Sequence, residues 1–321
     1  MTKAGLLKAM MLAAALPLCG GAAPAYAPHE GAGWALVWAD EFDGTTLDPA
    51  KWTPEESCWG GGNAERQCYT DRPANIAVEN GMLLLKARKE RFTGPARPPE
   101  IAENPNPRIT QGYTSGKVRT IGKHAWRYGR IEVRAKVPAG QGTWPAVWMM
   151  PDAPAYGAWP RSGEIDILEA VNIGARCKAC DGERGENRTI SALHFGDFAP
   201  LNKLVDNRTA LPDRALPSDD FHVYAVEWGE GLIRFLVDDR AHLTVTADQW
   251  STAAPNAAGN PAAPFDQPFY IMANLAVGGR LSEENNAKGV DAKSFPAQFA
   301  IDWIRVYQCA PDPERGRACM K

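Results

Sequence analysis

The chain has 321 residues, a formal net charge of −3 and 45% hydrophobic residues, enough to bury one large core. A charge so near zero gives no electrostatic reason to expect nucleic acid or an anionic membrane as a partner. The 11 Trp, 26 Pro and 30 Gly stand out. Gly and Pro punctuate short strands with turns, and Trp suits a core or a flat apolar ligand with a polar rim.

In chain order, Lys3 and Lys8 precede an apolar run over 9–16 and then small residues. This is the pattern of a secretory signal, too short to span a bilayer. The expected signal covers 1–27, with cleavage between 22 and 27 because Pro28 follows Ala25-Tyr26-Ala27. Cys19 offers a lipoprotein anchor, against which Leu18 argues. A single domain over 28–321 follows, with no further membrane span, secreted or periplasmic and by default monomeric.

Strands are predicted at 34–42, 76–79, 82–88, 113–120, 129–137, 146–150, 190–195, 221–228, 232–238, 269–276 and 299–308. Asn80-Gly81 and Gly229-Glu230-Gly231 mark hairpin turns. Segments 91–107 and 253–264 are expected to be irregular loops, and 248–252 one helical turn. Such punctuation predicts an all-β fold, a β-jelly roll or sandwich of two antiparallel sheets.

Six cysteines follow the signal. Their spacing suggests three local disulfides, Cys58–Cys68, Cys177–Cys180 and Cys309–Cys319, out of fifteen connectivities. Cys177-x-x-Cys180 also has zinc-ligand spacing.

The segment Gly163-Glu164-Ile165-Asp166-Ile167-Leu168-Glu169 carries the chemistry. In a regular strand Glu164 and Asp166 share one face, and Glu169 falls on the face of Ile165 and Ile167. An unpaired carboxylate there costs several kcal/mol, roughly, so a β-bulge at Ile167-Leu168 is predicted to return Glu169 to its fellow acids. Crowding should then raise the pKa of at least one of the three. Retaining glycosidases use such a pair, about 5–5.5 Å apart, as nucleophile and general acid.

This segment resembles the active-site signature of glycoside hydrolase family 16, in its bulged, laminarinase-like form. Further blocks resemble the family from about residue 34 to 308: Leu36-Val37-Trp38-Ala39-Asp40-Glu41-Phe42, Gly62-Asn63-Ala64-Glu65, Tyr128-Gly129-Arg130-Ile131-Glu132, Trp144-Pro145-Ala146-Val147-Trp148 and Asp302-Trp303-Ile304-Arg305-Val306-Tyr307. The resemblance implies a jelly roll with a concave substrate cleft, retaining endo-hydrolysis of β-1,3- or mixed β-1,3-1,4-glucan, and no catalytic cofactor. Glu164 would be the nucleophile, Glu169 the general acid/base and Asp166 the residue tuning both. Trp144 and Trp148 resemble aromatic platforms, and Asn63 and His194 match substrate-binding positions, with Glu65 and Arg119 as weaker candidates. Family members that bind calcium imply Glu41, the Gly81 carbonyl and Asp302 as ligands. A noncatalytic glucan-binding protein, a galactanase and a transglycosylase are the competing functions; the three intact acids favour the hydrolase. The chain departs from its relatives after Gly278-Gly279, where Arg280 to Asn286 contain no Trp, and at 177–185, directly after the carboxylate strand.

Overall fold

The computed structural model describes residues 33–178, 180 and 183–320; the expected signal at 1–27, with Cys19, lies outside them. Alternation builds the strands. In Gly129–Lys136, Ile131, Val133 and Ala135 enter the core while Arg130, Glu132 and Arg134 take the opposite face of the sheet, where Arg130 and Glu132 are buried as an ion pair.

Two antiparallel sheets pack into a jelly-roll sandwich. One has the order Arg240–Thr246, Leu232–Val237, His222–Gly229, Gly129–Lys136, Ala297–Cys309, Met82–Ala87, Ile76–Glu79, with Trp34–Asp40 also pairing Ala297–Cys309. The other runs Asn202–Ala210, Arg188–Gly196, Glu164–Ala170, Thr143–Pro151, Phe269–Val277, Lys117–Arg119, Thr53–Pro54. Ile165, Ile167, Leu168, Val147 and Ile271 of this second sheet meet Ile131, Val226, Phe235 and Ile304 of the first in one continuous core.

Asn202–Ala210 and Arg240–Thr246 are the longest strands not expected from sequence. Both are sheet edges and largely exposed; Asn202–Ala210 is polar on both faces, whereas in Arg240–Thr246 Ala241, Leu243 and Val245 alternate with polar residues. The expected loop at 91–107 begins with Phe92–Pro95, which pairs with Arg108–Gln111, and the expected helical turn at 248–252 is a turn and bend. A one-turn helix occupies Arg280–Glu283 instead. No helix among the described residues is long and apolar enough to cross a membrane.

All three local disulfides form as the spacing suggests. With Cys177 and Cys180 bonded to each other, no thiolate remains there for zinc.

Two of the expected calcium ligands, Glu41 and Asp302, are paired with arginines in this structure. Trp34–Asp40 and Met82–Ala87 lie end to end along one edge of Ala297–Cys309, which brings Glu41 and Gly81 toward Asp302. However, Arg134 is opposite Trp303 and Ala135 opposite Ile301, so a bulge at Asp302 breaks its alternation with Ile304 and Val306. Asp302 therefore turns to Arg134, 2.5 Å away, and Glu41 accepts from Arg305 Nε at 2.7 Å and Nη2 at 2.9 Å. Both carboxylates are already neutralised by guanidinium groups, a donor set that does not fit a hard cation.

Candidate active site

Gly163 opens the carboxylate strand at φ +82°, where an added Cβ would stand 2.8 Å from the Phe265 ring; only glycine makes this entry. The predicted bulge follows. Ala146 pairs with Glu169 and Val147 with Leu168, but Trp148 pairs with Asp166, so one residue is extra. On the other side Asp166 faces Ala192 and Glu169 faces Ile190. Ile167 and Leu168 both enter the core, and Glu164, Asp166 and Glu169 share the opposite face of the sheet.

Indole N–H groups hold the two outer acids. Trp159 Nε1 donates to Glu164 Oε2 at 2.8 Å, and Trp144 Nε1 donates to Glu169 Oε1 at 2.8 Å. His194, opposite Glu164 on the next strand, brings Nε2 to 3.4 Å from Asp166 Oδ2 and 3.7 Å from Glu164 Oε1. Burial is the main cause that raises all three acids, and crowding by the glutamates adds substantially to it only at Asp166. Burial lifts Glu164 to about 7 against the opposing hydrogen bonds from Trp159 and Asp166. Glu169 also rises to about 7 through burial, opposed by the Trp144 N–H. Asp166, buried and facing both glutamates, is pushed well above the carboxylate range. That shift favours its neutral form, in which it can donate to Glu164. Burial also lowers the His194 pKa, favouring the neutral ring.

The other expected residues surround this centre unequally. Trp144 and Trp148 do share the site face, but Trp144 is only 9% exposed, packed with Val171, Ile190 and Ala276. Its polar edge serves Glu169 while little of its ring is open. Trp148 is partly buried, donates to Asn274 Oδ1 at 2.7 Å and has the Lys117 ammonium 5.0 Å from its ring centre. Lys117 is itself paired with Glu55 at 3.0 Å. Asn63 is exposed at the Trp144 end of the site, where Gly279 (φ +85°) fits between Glu65 and the Trp144 ring with no room for a Cβ. Glu65 is buried and accepts from Gln67 at 2.6 Å, while Arg119 is buried and bridges Glu55 and Glu100.

Sequence reasoning missed Trp159. It lies in a turn outside any strand, so periodicity assigns it no face; its proximity to Gly163-Glu164 was the available signal. At 44% exposure it is the open indole beside Glu164.

Two carboxylates on one face, each tied to an indole donor, with a third acid raised in pKa between them, define a glycoside hydrolase centre on a jelly roll. Residues 34–309 match the family described as Beta-porphyranase A-D, GH16 domain. The chain belongs to glycoside hydrolase family 16. It is 40% identical over 286 residues to Glucan endo-1,3-beta-glucosidase A1 of Niallia circulans, covering 86% of this chain and 38% of that protein. It is 38% identical to the Beta-glucanase of Rhodothermus marinus, covering 88% of this chain and 86% of that one. The X-ray structure of the laminarinase from Rhodothermus marinus superposes with a TM-score of 0.68 at 37% identity, covering 85% of this chain and 97% of that one.

Proposed function

We propose that this enzyme is an exported, retaining endo-β-glucanase acting on β-1,3- or mixed β-1,3-1,4-glucan, with Glu164 as nucleophile and Glu169 as general acid/base. The observation that carries the mechanism is the bulge, which gathers three acids on one face and gives the outer two different partners. Both outer acids lie near 7, so close to neutrality the pair holds about one proton. Glu164 receives two hydrogen bonds, from Trp159 and from the protonated Asp166, and both favour its ionised form. Glu169 receives one and is the member left to carry the proton.

In the first step Glu164 attacks the anomeric carbon while Glu169 protonates the departing glycosidic oxygen. In the second, Glu169 takes a proton from water, which displaces Glu164 from the sugar. No cofactor is needed for either. Asn63, Trp148, Trp159 and His194 are open to sugar hydroxyls and rings around this centre; Trp144 positions Glu169.

The names of the Niallia and Rhodothermus relatives support glucan as substrate. A galactan reading is favoured by one observation, the porphyranase description of the matching family. Incubation with laminarin, barley β-glucan, porphyran, agarose and carrageenan, with chromatography of the products, separates the two. Cleavage of laminarin or barley glucan to oligosaccharides of initially β configuration by NMR is expected. Failure to cut either glucan would remove the substrate assignment, and α products would remove retention. Export agrees with three disulfides, which persist in oxidising compartments.

Two smaller predictions follow from the partners. Trp159→Phe removes a donor that favours ionised Glu164, so the acidic limb of kcat/KM against pH should move up by about 0.5–1 unit. An unmoved limb would show that the indole hydrogen bond does not set the ionisation of Glu164. Because Arg305 and Arg134 already occupy Glu41 and Asp302, treatment with EGTA should leave the unfolding temperature within about 1 °C, less than a 1 kcal/mol loss would produce.

A further inference from the structure

A bulge leaves backbone groups outside the regular ladder, and buried ones need partners. Here Ile167 and Leu168 lie between the pairs Asp166–Ala192 and Glu169–Ile190, so Ser191 alone stands across from both. Its side chain points away from the acids, toward the space between the sheets. Ser191 is buried, and its Oγ donates to the Ile167 carbonyl at 2.8 Å. The edge strand Arg240–Thr246 of the opposite sheet inserts His242, whose Nε2 lies 3.3 Å from that Oγ. Asn207, the register partner of Ser191 on the outer strand, donates through Nδ2 to the His242 carbonyl at 2.8 Å and faces His242 Nδ1 at 3.4 Å.

One placement of protons satisfies the whole chain. Asn207 Nδ2–H donates to Nδ1, Nε2–H donates to Ser191 Oγ, and the Ser191 hydroxyl donates to the Ile167 carbonyl. That is a neutral histidine, and burial keeps His242 neutral by lowering its pKa to about 4.

We propose that Ser191, backed by His242 and Asn207, is a positioning residue that locks the catalytic bulge in register and thereby sets Glu169 relative to Glu164. The inference rests on Glu164 and Glu169 being the reacting pair. The Ile167 carbonyl lies inside the bulge and is gripped by the Ser191 hydroxyl of the neighbouring strand. Gripped, it fixes the peptide plane between Asp166 and Leu168; released, the strand can slide toward plain alternation, which turns Glu169 away from Glu164. The brace comes from the edge strands of both sheets, so it also couples the sandwich edge to the site.

The test compares Ser191→Ala, Ser191→Thr, His242→Phe and His242→Gln on laminarin, each assayed well below its own unfolding temperature. Ser191→Ala should lower kcat about 10- to 100-fold, the scale of a displacement near 1 Å, with KM within about twofold. His242→Phe should follow it in the same direction, whereas Ser191→Thr and His242→Gln, which keep a hydroxyl and an N–H donor, should retain kcat within about threefold. Wild-type kcat in Ser191→Ala overturns the proposal. So does a deficit in Ser191→Ala and His242→Phe that vanishes on cooling, since that is only loss of stability. If Ser191→Ala does not fold, the contrast between His242→Phe and His242→Gln carries the same decision. Failure of the underlying assignment would appear elsewhere, as full activity in Glu164→Gln.

Discussion

Glu164→Gln is expected to lower kcat on laminarin by about 10⁴- to 10⁶-fold, the range seen when a covalent nucleophile is removed. Glutamine keeps the shape of the side chain and can still accept the Trp159 N–H, so the surrounding structure has little reason to move. What disappears is the oxygen that forms the glycosyl ester. The measurement pairs steady-state kinetics with trapping by a 2-deoxy-2-fluoro glycoside. The wild-type protein should gain the mass of one sugar on the peptide containing Glu164, and the variant should gain none. A label on Glu169 would reverse the two roles, and residual activity above about 1% would remove Glu164 from the chemistry.

Glu169→Gln has a different expected signature. Loss of the general acid/base should lower kcat on polysaccharide by about 10²- to 10⁴-fold. With an aryl glycoside whose leaving group needs no proton, the first step should survive and the second should stall, giving a burst followed by slow turnover. Azide, which needs no general base, should then restore turnover and give a β-glycosyl azide. In the wild-type protein the basic limb of the pH profile should lie close to 7, where Glu169 loses its proton, and it should be absent from the azide-rescued variant. Equal losses on activated and unactivated substrates would exclude this residue as the acid.

The carboxylate strand was legible because an error there would have been expensive: plain alternation drives Glu169 into the core, and only a bulge avoids that. The Asp302 bulge carried no such signal. Nothing in alternating Ile304 and Val306 forbids a partly buried aspartate beside them, and the arginine that takes it comes from a strand 168 positions away. The edge strand Asn202–Ala210 was missed because polar residues on both faces erase the period; Arg240–Thr246 does alternate, through Ala241, Leu243 and Val245, and its signal was legible but overlooked. Those same edges supply Asn207 and His242. The cause of the raised pKa values was also only partly foreseen. Adjacency of acids suggests repulsion, whereas how far a site is closed from water depends on Trp159, Trp144 and His194, contributed by segments that sequence does not join. Family resemblance supplied roles for the acids, but not the turn that carries the indole beside Glu164.

Placing acids where they prefer to be neutral makes the site a thermodynamic liability whose size varies with acidity of the medium. A carboxyl whose pKa is higher in the folded than in the unfolded chain supports folding fully below its unfolded value, and that support is lost as pH rises through the folded value. For Glu164 and Glu169 this window runs from 4.5 to about 7. If one of them behaved independently, its rise would correspond to roughly 3 kcal/mol at alkaline pH. The active protein should therefore become easier to melt across that window through these groups. A chain with glutamine at position 164 or 169 should show a shallower fall and be the more heat-resistant molecule at pH 8. Calorimetry of the three proteins at pH 5 and pH 8 measures this directly, and parallel curves would mean that the acids carry no such burden.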